Sequence, residues 1–286
     1  MNEAISTVGR FTPDLFGAIG RPAWDASWPD NWKGSYFHDL HSVWPGPSER
    51  GYRVAYRHRF ARAIDYVIEG APRGGRVLDL AAGQGNFSIV LAKLGYRVTW
   101  NDLREDLQGY VRLKTDLPLE FRPGNLFELP RESVGLFDAI VATEIIEHVA
   151  HPDDFLRQVA EFLVPGGAIV LTTPNGAYMR NTLPRFSDFP DPSVFESSQF
   201  KPDGDGHIFL LYPDEVVTLA NRAGLSVERQ EFFNNPLTSG HLKTRHVLPM
   251  LGEGLVDSIE AAGRKLPTAI RQRIHLHTAA LLKKPA

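Results

Sequence analysis

The stretch VLDLAAGQGNFSIVLAKLGYRVTWNDL, residues 77–103, decides the fold. It opens on an apolar run broken by one carboxylate, Asp79. A Gly-x-Gly turn follows at Gly83 and Gly85, then an apolar helical run, then a second apolar stretch ending on Asp102. Glycine lets the backbone turn sharply and come close to a ligand. An acid at the end of the second strand is placed to accept hydrogen bonds from ribose hydroxyls. A Gly-x-Gly turn alone is a weak signal; together with Asp102 it outlines a pocket for an adenosine-containing molecule.

Outward from this stretch the chain alternates. Residues 76–81, 97–100, 119–122, 136–142 and 168–172 read as strands, and residues 86–94, 106–114 and 153–163 as helices. Helical and strand patterns resume at 213–223 and 225–233, and IHLHTAALLKK, residues 274–284, alternates as an edge strand does. Strands separated by helices imply crossover connections, hence an α/β fold with a doubly wound, mostly parallel sheet covered on both faces. Residues 52–68 form a helix with Val54, Phe60, Ala61, Ile64 and Val67 near one face. Residues 1–51 are rich in Trp, Pro, Gly and His, and read as an arm of loops and short turns whose aromatics dock on the domain, with a substrate-facing role as the alternative. The domain proper is then 52–286, with insertions at about 175–206 and 234–271. A loop as long as the first is usually functional or mobile. Inside the second, a helix at 255–264 carries Leu255, Val256 and Ile259 on a weakly apolar face, with Arg264 and Lys265 behind. It reads as a lid or packing helix, with contact to a membrane surface or a lipid-like acceptor as the alternative.

Composition bounds the function. The chain has 286 residues, 43% hydrophobic and 23% charged, enough for a sizeable core. A net charge of −3 gives no global basic footprint, so a nucleic-acid partner is not expected. The small basic runs YRHRFAR and RHVLPM read as solvated faces. There is no cysteine, which excludes disulfide and thiolate chemistry. MNEAISTVGRFTPDLF lacks a basic stretch followed by an apolar one, and no apolar run reaches membrane length, so a cytoplasmic protein is expected.

Two cofactors compete for the glycine turn. The NAD fingerprint wants a third Gly or Ala three positions beyond Gly85, where this chain has Ser88. Asp79, inside the first strand, suits a ligand with a positive amino group. S-adenosylmethionine (SAM) has an amine, a ribose and no pyrophosphate. A carboxylate that merely caps the loop amides is compatible with both.

The whole stretch resembles the SAM-binding signature of class I methyltransferases. RPGNLFELP resembles their adenine-contacting segment, and FDAIVATEIIEHVAHPDDFLRQVAEFLVPGGAIVLTTPN their fourth and fifth strands. The likeness covers residues 76–233 in the right order. It implies a seven-stranded sheet whose last strand is antiparallel. It also implies that Asp79, Gly83 and Gly85 line the methionine side, that Asp102 holds the ribose and that Leu103 packs on adenine. Asn125 and Leu126 fall in the adenine segment, with Asn125 where the family usually has Asp. Thr143 and Glu144 would lie under the sulfonium. A SAM-binding protein without activity stays open, because fold does not imply activity.

EIIEH, Glu144 to His148, follows the fourth strand. In a helical turn Glu144, Glu147 and His148 would share a face. The pattern resembles the E-x-x-E-H motif of ubiquinone-biosynthesis O-methyltransferases and of small-RNA 2′-O-methyltransferases, where it binds a divalent metal. His207, in DGDGHIFLLYPDE, resembles the distal histidine of the RNA group. Two readings stand nearly level. In one, Glu144, Glu147, His148 and His207 hold Mg²⁺, Mn²⁺ or Zn²⁺. In the other His148 is a general base with no metal, Glu147 beside it. Both favour a hydroxyl acceptor on a small molecule, lipid or sugar, with an RNA 2′-hydroxyl as the alternative.

Overall fold

The computed structural model describes residues 13–44, 50–199, 206–241, 244 and 248–286. Parts of the arm, of the first insertion and of the RHVLPM run lie outside the described residues. The helices are α1 (Asp30–Ser42), α2 (Arg50–Gly70), α3 (Asn86–Lys93), α4 (Leu107–Arg112), α5 (Arg131–Val134), α6 (Pro152–Glu161), α7 (Pro213–Arg222), α8 (Glu253–Arg264) and α9 (Thr268–Ile274). The strands are β1 (Arg76–Leu80), β2 (Arg97–Asp102), β3 (Glu120–Pro123), β4 (Phe137–Thr143), β5 (Leu163–Pro174), β6 (Ser226–Phe233) and β7 (His277–Lys283).

These strands form one sheet in the order β3-β2-β1-β4-β5-β7-β6. β1 to β5 are mutually parallel, and β7 runs antiparallel to β5 and β6. The period of two in the central strands sorts side chains between two cores. Val77, Ala139, Val141, Ala168 and Val170 face the layer of α1 to α4. Leu78, Ile140, Ala142, Ile169 and Leu171 face α6 and α7. α2 lays Phe60, Ala63, Ile64 and Val67 on the first face, the i, i+3, i+4, i+7 pattern of a helix stripe. Ala63 rather than Ala61 completes that stripe. Each such large apolar side chain contributes about 1.5–3 kcal/mol on burial. Among the described residues no helix is long and apolar enough to cross a membrane.

Two expectations are corrected. IHLHTAALLKK is not an edge strand: β7 lies between β5 and β6, and β6 is the outer strand. Thr278 to Leu282 are all buried, because both faces of β7 are covered. The arm is not only loops and turns, because α1 is a regular helix of 13 residues. Its buried stripe is Ser35, Tyr36, Asp39 and Ser42, so hydropathy carries no trace of it. The docking reading of the aromatics fits the packing. Tyr36, Val43 and Trp44 belong to the same core as Phe60 and Phe87. The Trp32 indole donates to the Asp106 carbonyl at 2.9 Å.

Asp39 is also the buried counter-ion of Lys114, at 2.8 Å. Stranding a buried charge costs about 3–5 kcal/mol. Deleting residues 1–44 is therefore expected to abolish cooperative unfolding rather than only slow turnover. A truncated chain that melts like the full one by circular dichroism would refute this.

α8 packs against the domain through Val256 and Glu260, with Leu255 left exposed. Glu260 accepts from the Asn235 N–H at 2.7 Å and lies 3.6 Å from His58 of α2. That imidazole and the surrounding donors hold Glu260 at about 2 despite its burial.

Candidate active site

The strand order reverses between β1 and β4, and in open α/β sheets ligands bind beyond the carboxyl ends at such a switch point. Backbone strain marks the same edge. Among the described residues three non-glycine residues have positive φ: Ala81 after β1, Glu144 after β4 and Asn234 after β6, at 54°, 53° and 65°. Such conformations cost of order 1–3 kcal/mol each and cluster at functional sites.

At the end of β1, Gly83 and Gly85 adopt φ of 55° and 68°. A Cβ on Gly85 would also press on Val111 at 3.0 Å. The Gly83 N–H donates to Asp102 Oδ2 at 2.8 Å, which ties the loop to the end of β2. Asp79 is buried below the loop and accepts from the Ser88 hydroxyl at 2.6 Å. Ser88, the departure from the dinucleotide fingerprint, is thus what holds Asp79. Burial pushes the Asp79 carboxyl up to about 7, because that single hydroxyl and the Ser88 amide only partly offset desolvation. A cationic group placed here would restore its charge.

Asp102 Oδ1 accepts from the Arg104 N–H at 3.0 Å and from its guanidinium at 2.9 Å. Arg104 is half exposed. Leu103 next to it is 55% exposed. Asn125 caps the turn Leu126–Glu128, accepting from the Phe127 N–H at 3.2 Å. Leu126 is buried, its side chain in the same core as Phe155 and Leu156. Thr143 pairs in register with Thr172 at the mouth of β4 and β5.

The EIIEH segment does not form the helical face expected of it. Glu144 stands in the left-handed region, outside the short turn Ile146–His148. Its carboxylate leaves Glu147 and His148 and meets Arg59 of α2 at 3.1 Å and His277 of β7 at 3.5 Å. The Thr172 hydroxyl donates to its other oxygen at 2.9 Å. Arg59 and His277 hold the Glu144 carboxyl down at about 2, against the effect of burial. Neither Arg59 nor His277 belonged to the expected site; they come from the helix before β1 and from the last strand.

Glu147, His148 and His207 do converge, with one ligand atom from each within 4.8 Å of the others. Glu147 is 0% exposed. Its Oε2 accepts from the Thr173 hydroxyl at 2.9 Å. Its Oε1 is buried without a hydrogen-bond partner. It lies 4.0 Å from His148 Nε2 and 4.0 Å from His207 Nε2. Burial, then the neighbouring Glu144 charge, push the Glu147 carboxyl well up. The Ile208 N–H donates to the Glu147 carbonyl at 2.9 Å, which brings His207 to the site. A buried acceptor costs free energy until something satisfies it, and this one is flanked by two imidazoles.

The sequence and the fold are similar to those of known methyltransferases. A sequence family described as a methyltransferase domain matches residues 52–230. A ubiquinone biosynthesis O-methyltransferase of Xanthomonas axonopodis pv. citri (strain 306) is 32% identical over 165 residues, 57% of this chain and 60% of that protein. The chain thus spans about 60% of the length of that curated relative. The fold is similar to an S-adenosylmethionine dependent methyltransferase from Mesorhizobium loti, with a TM-score of 0.52, 18% identity and coverage of 82% of this chain and 98% of that one. It is also similar to a magnesium protoporphyrin IX methyltransferase from Synechocystis solved with bound SAH, with a TM-score of 0.52, 13% identity and coverage of 89% and 93%. The glycine turn, the acids ending β1 and β2, the sheet order and the sequence match over most of the domain agree, and the chain belongs to the methyltransferase-domain family.

Proposed function

We propose that this protein is a SAM-dependent O-methyltransferase of a small-molecule hydroxyl, lipid-like or sugar-like, with Glu147, His148 and His207 as its acceptor-activating centre. The similarity to a ubiquinone biosynthesis O-methyltransferase supports the acceptor class. The observation that carries the chemistry is the orphaned Glu147 Oε1 between two imidazoles.

Bound SAM supplies a methyl group on a sulfonium, an electrophile that needs only an aligned oxygen nucleophile. The chain's own part is to bind and orient. The Asp79 carboxylate takes the amino group, Asp102 the ribose hydroxyls and Leu103 the base. Gly83 and Gly85 let the backbone approach. His148 and His207 are both partly exposed, and on this reading they meet the acceptor hydroxyl. One carboxylate oxygen and two imidazole nitrogens fit a divalent cation. Two nitrogens favour Zn²⁺ or Mn²⁺ over the oxygen-seeking Mg²⁺. Such a cation lowers the pKa of an acceptor hydroxyl. Glu144 is outside this set; with Arg59 and His277 it forms a charged wall next to it.

The purified chain should bind SAM in calorimetry. Incubation of cell extract with methyl-labelled SAM should place label in an organic-soluble or glycosidic small molecule. Label recovered in RNA would replace this acceptor class. Asp102→Ala should weaken SAM roughly tenfold or more, since charge-assisted hydrogen bonds contribute about 1.5–3 kcal/mol. Unchanged affinity in the folded variant would remove Asp102 from the site.

A further inference from the structure

We propose that Lys114 and Asp39 form a positioning pair for the cofactor loop, which makes α1 a working part of the cofactor site. The proposal rests on the SAM-dependent reading above. The match to the methyltransferase-domain family begins at residue 52, so Asp39 comes from outside it.

The Lys114 side chain, just beyond α4, is 0% exposed. An ammonium has three donors, and Lys114 uses all of them. It donates to Asp39 Oδ2 at 2.8 Å, to the Gln84 carbonyl at 2.6 Å and to Asn86 Oδ1 at 2.7 Å. Gln84 sits between Gly83 and Gly85, and Asn86 opens α3. The same planar peptide unit that carries the Gln84 carbonyl carries the Gly85 N–H, which donates to the Ala82 carbonyl at 2.9 Å. One peptide of the glycine loop is therefore held at both ends. Without such ties, two glycines with positive φ would leave the loop many conformations.

Asp39 completes the clamp. Its Oδ1 accepts from Asn86 Nδ2 at 2.7 Å and its Oδ2 from the Tyr110 hydroxyl at 2.8 Å. Asn86 Nδ2 also donates to the Tyr56 hydroxyl at 3.1 Å. The arm grips Lys114 a second time, as the Gly20 N–H donates to the Lys114 carbonyl at 2.9 Å. Stability alone does not call for an ammonium here, because well-packed apolar residues often serve as well as a buried ion pair. The carbonyl of Gln84 does call for a donor: an apolar side chain in place of Lys114 would orphan it.

The test is calorimetric binding of S-adenosylhomocysteine to the full chain, well below its melting temperature. Lys114→Met combined with Asp39→Asn removes the loop donor without stranding a charge. It should bind at least tenfold more weakly, with faster amide exchange at Gly85. Lys114→Arg, which keeps charge and donors, should recover part of the affinity. Ile64→Ala, in the same core, should melt lower and bind as wild type does. If the pair variant does not fold, Lys114→Gln combined with Asp39→Asn carries the comparison, with two amide donors for three acceptors and no stranded charge. Wild-type affinity in either folded pair variant overturns the proposal. Absence of binding by the wild-type chain overturns the SAM reading instead.

Discussion

Asp79→Asn is expected to melt higher than the wild-type chain above neutral pH and to bind SAM poorly. The carboxyl is raised from 3.8 to about 7 by burial. Between those values the native state keeps a proton that the unfolded chain has lost. Stability therefore falls as pH rises across that window, and the full cost is present above it. At about 1.36 kcal/mol per pKa unit the cost is on the order of 4 kcal/mol. Asparagine keeps an acceptor for the Ser88 hydroxyl and carries no charge, so that slope should vanish. The same charge is what the cofactor's amino group meets, and its loss should weaken binding by one to two orders of magnitude. Melting temperatures at pH 5 and pH 8, with and without S-adenosylhomocysteine, separate the two effects. A variant that melts lower than wild type at pH 8 and binds normally would show that Asp79 is only a structural acid.

The second large effect concerns the Glu147–His148–His207 cluster. Zn²⁺ or Mn²⁺ should stabilise the wild-type chain by about 2.7 kcal/mol at a hundred times the dissociation constant. That amounts to a rise of several degrees in melting temperature for a chain of this size. Glu147→Gln, His148→Ala and His207→Ala should each remove the shift and lower methyl transfer at least a hundredfold. Glu144→Gln should keep the shift, because Glu144 faces Arg59 and His277 instead. Activity that survives chelation, with only His148→Ala inactive, would return the site to a metal-free general base.

What the sequence reveals and what it hides follow from distance and polarity. The strands around the switch point are legible because their side chains are nearly all apolar, and burial on both faces leaves no other reading. Gly83, Gly85 and Asp102 are legible because the turn, the helix and the next strand are consecutive. α1 is hidden because its buried stripe is polar and is satisfied by partners far along the chain, such as Lys114. Glu144 is misplaced by any rule of helical spacing, since its left-handed backbone breaks the repeat just before the turn begins. The pairing of Glu147 with His207 depends on a loop whose course no local pattern gives. β7 looks like an edge strand because threonine and histidine precede its apolar run, while its place in the sheet is set by β6 closing over it.

The pairing of Phe233 with His277 has a consequence for how such a chain can change. Opposed residues in an antiparallel pair sit about 4.5–5.5 Å apart. The whole segment between them, α8 and α9 included, thus leaves the sheet and returns to it at neighbouring points. Its length is free of the strand register, and each doubling would cost only about 0.6 kcal/mol in closure entropy. Lengthening, shortening or exchanging this segment need not move β5, β6 or β7. Evolution, or a protein engineer, can recut the wall above the carboxyl edge like a cassette in a fixed frame, with Glu260 and its partners as the fastening that a replacement must reproduce.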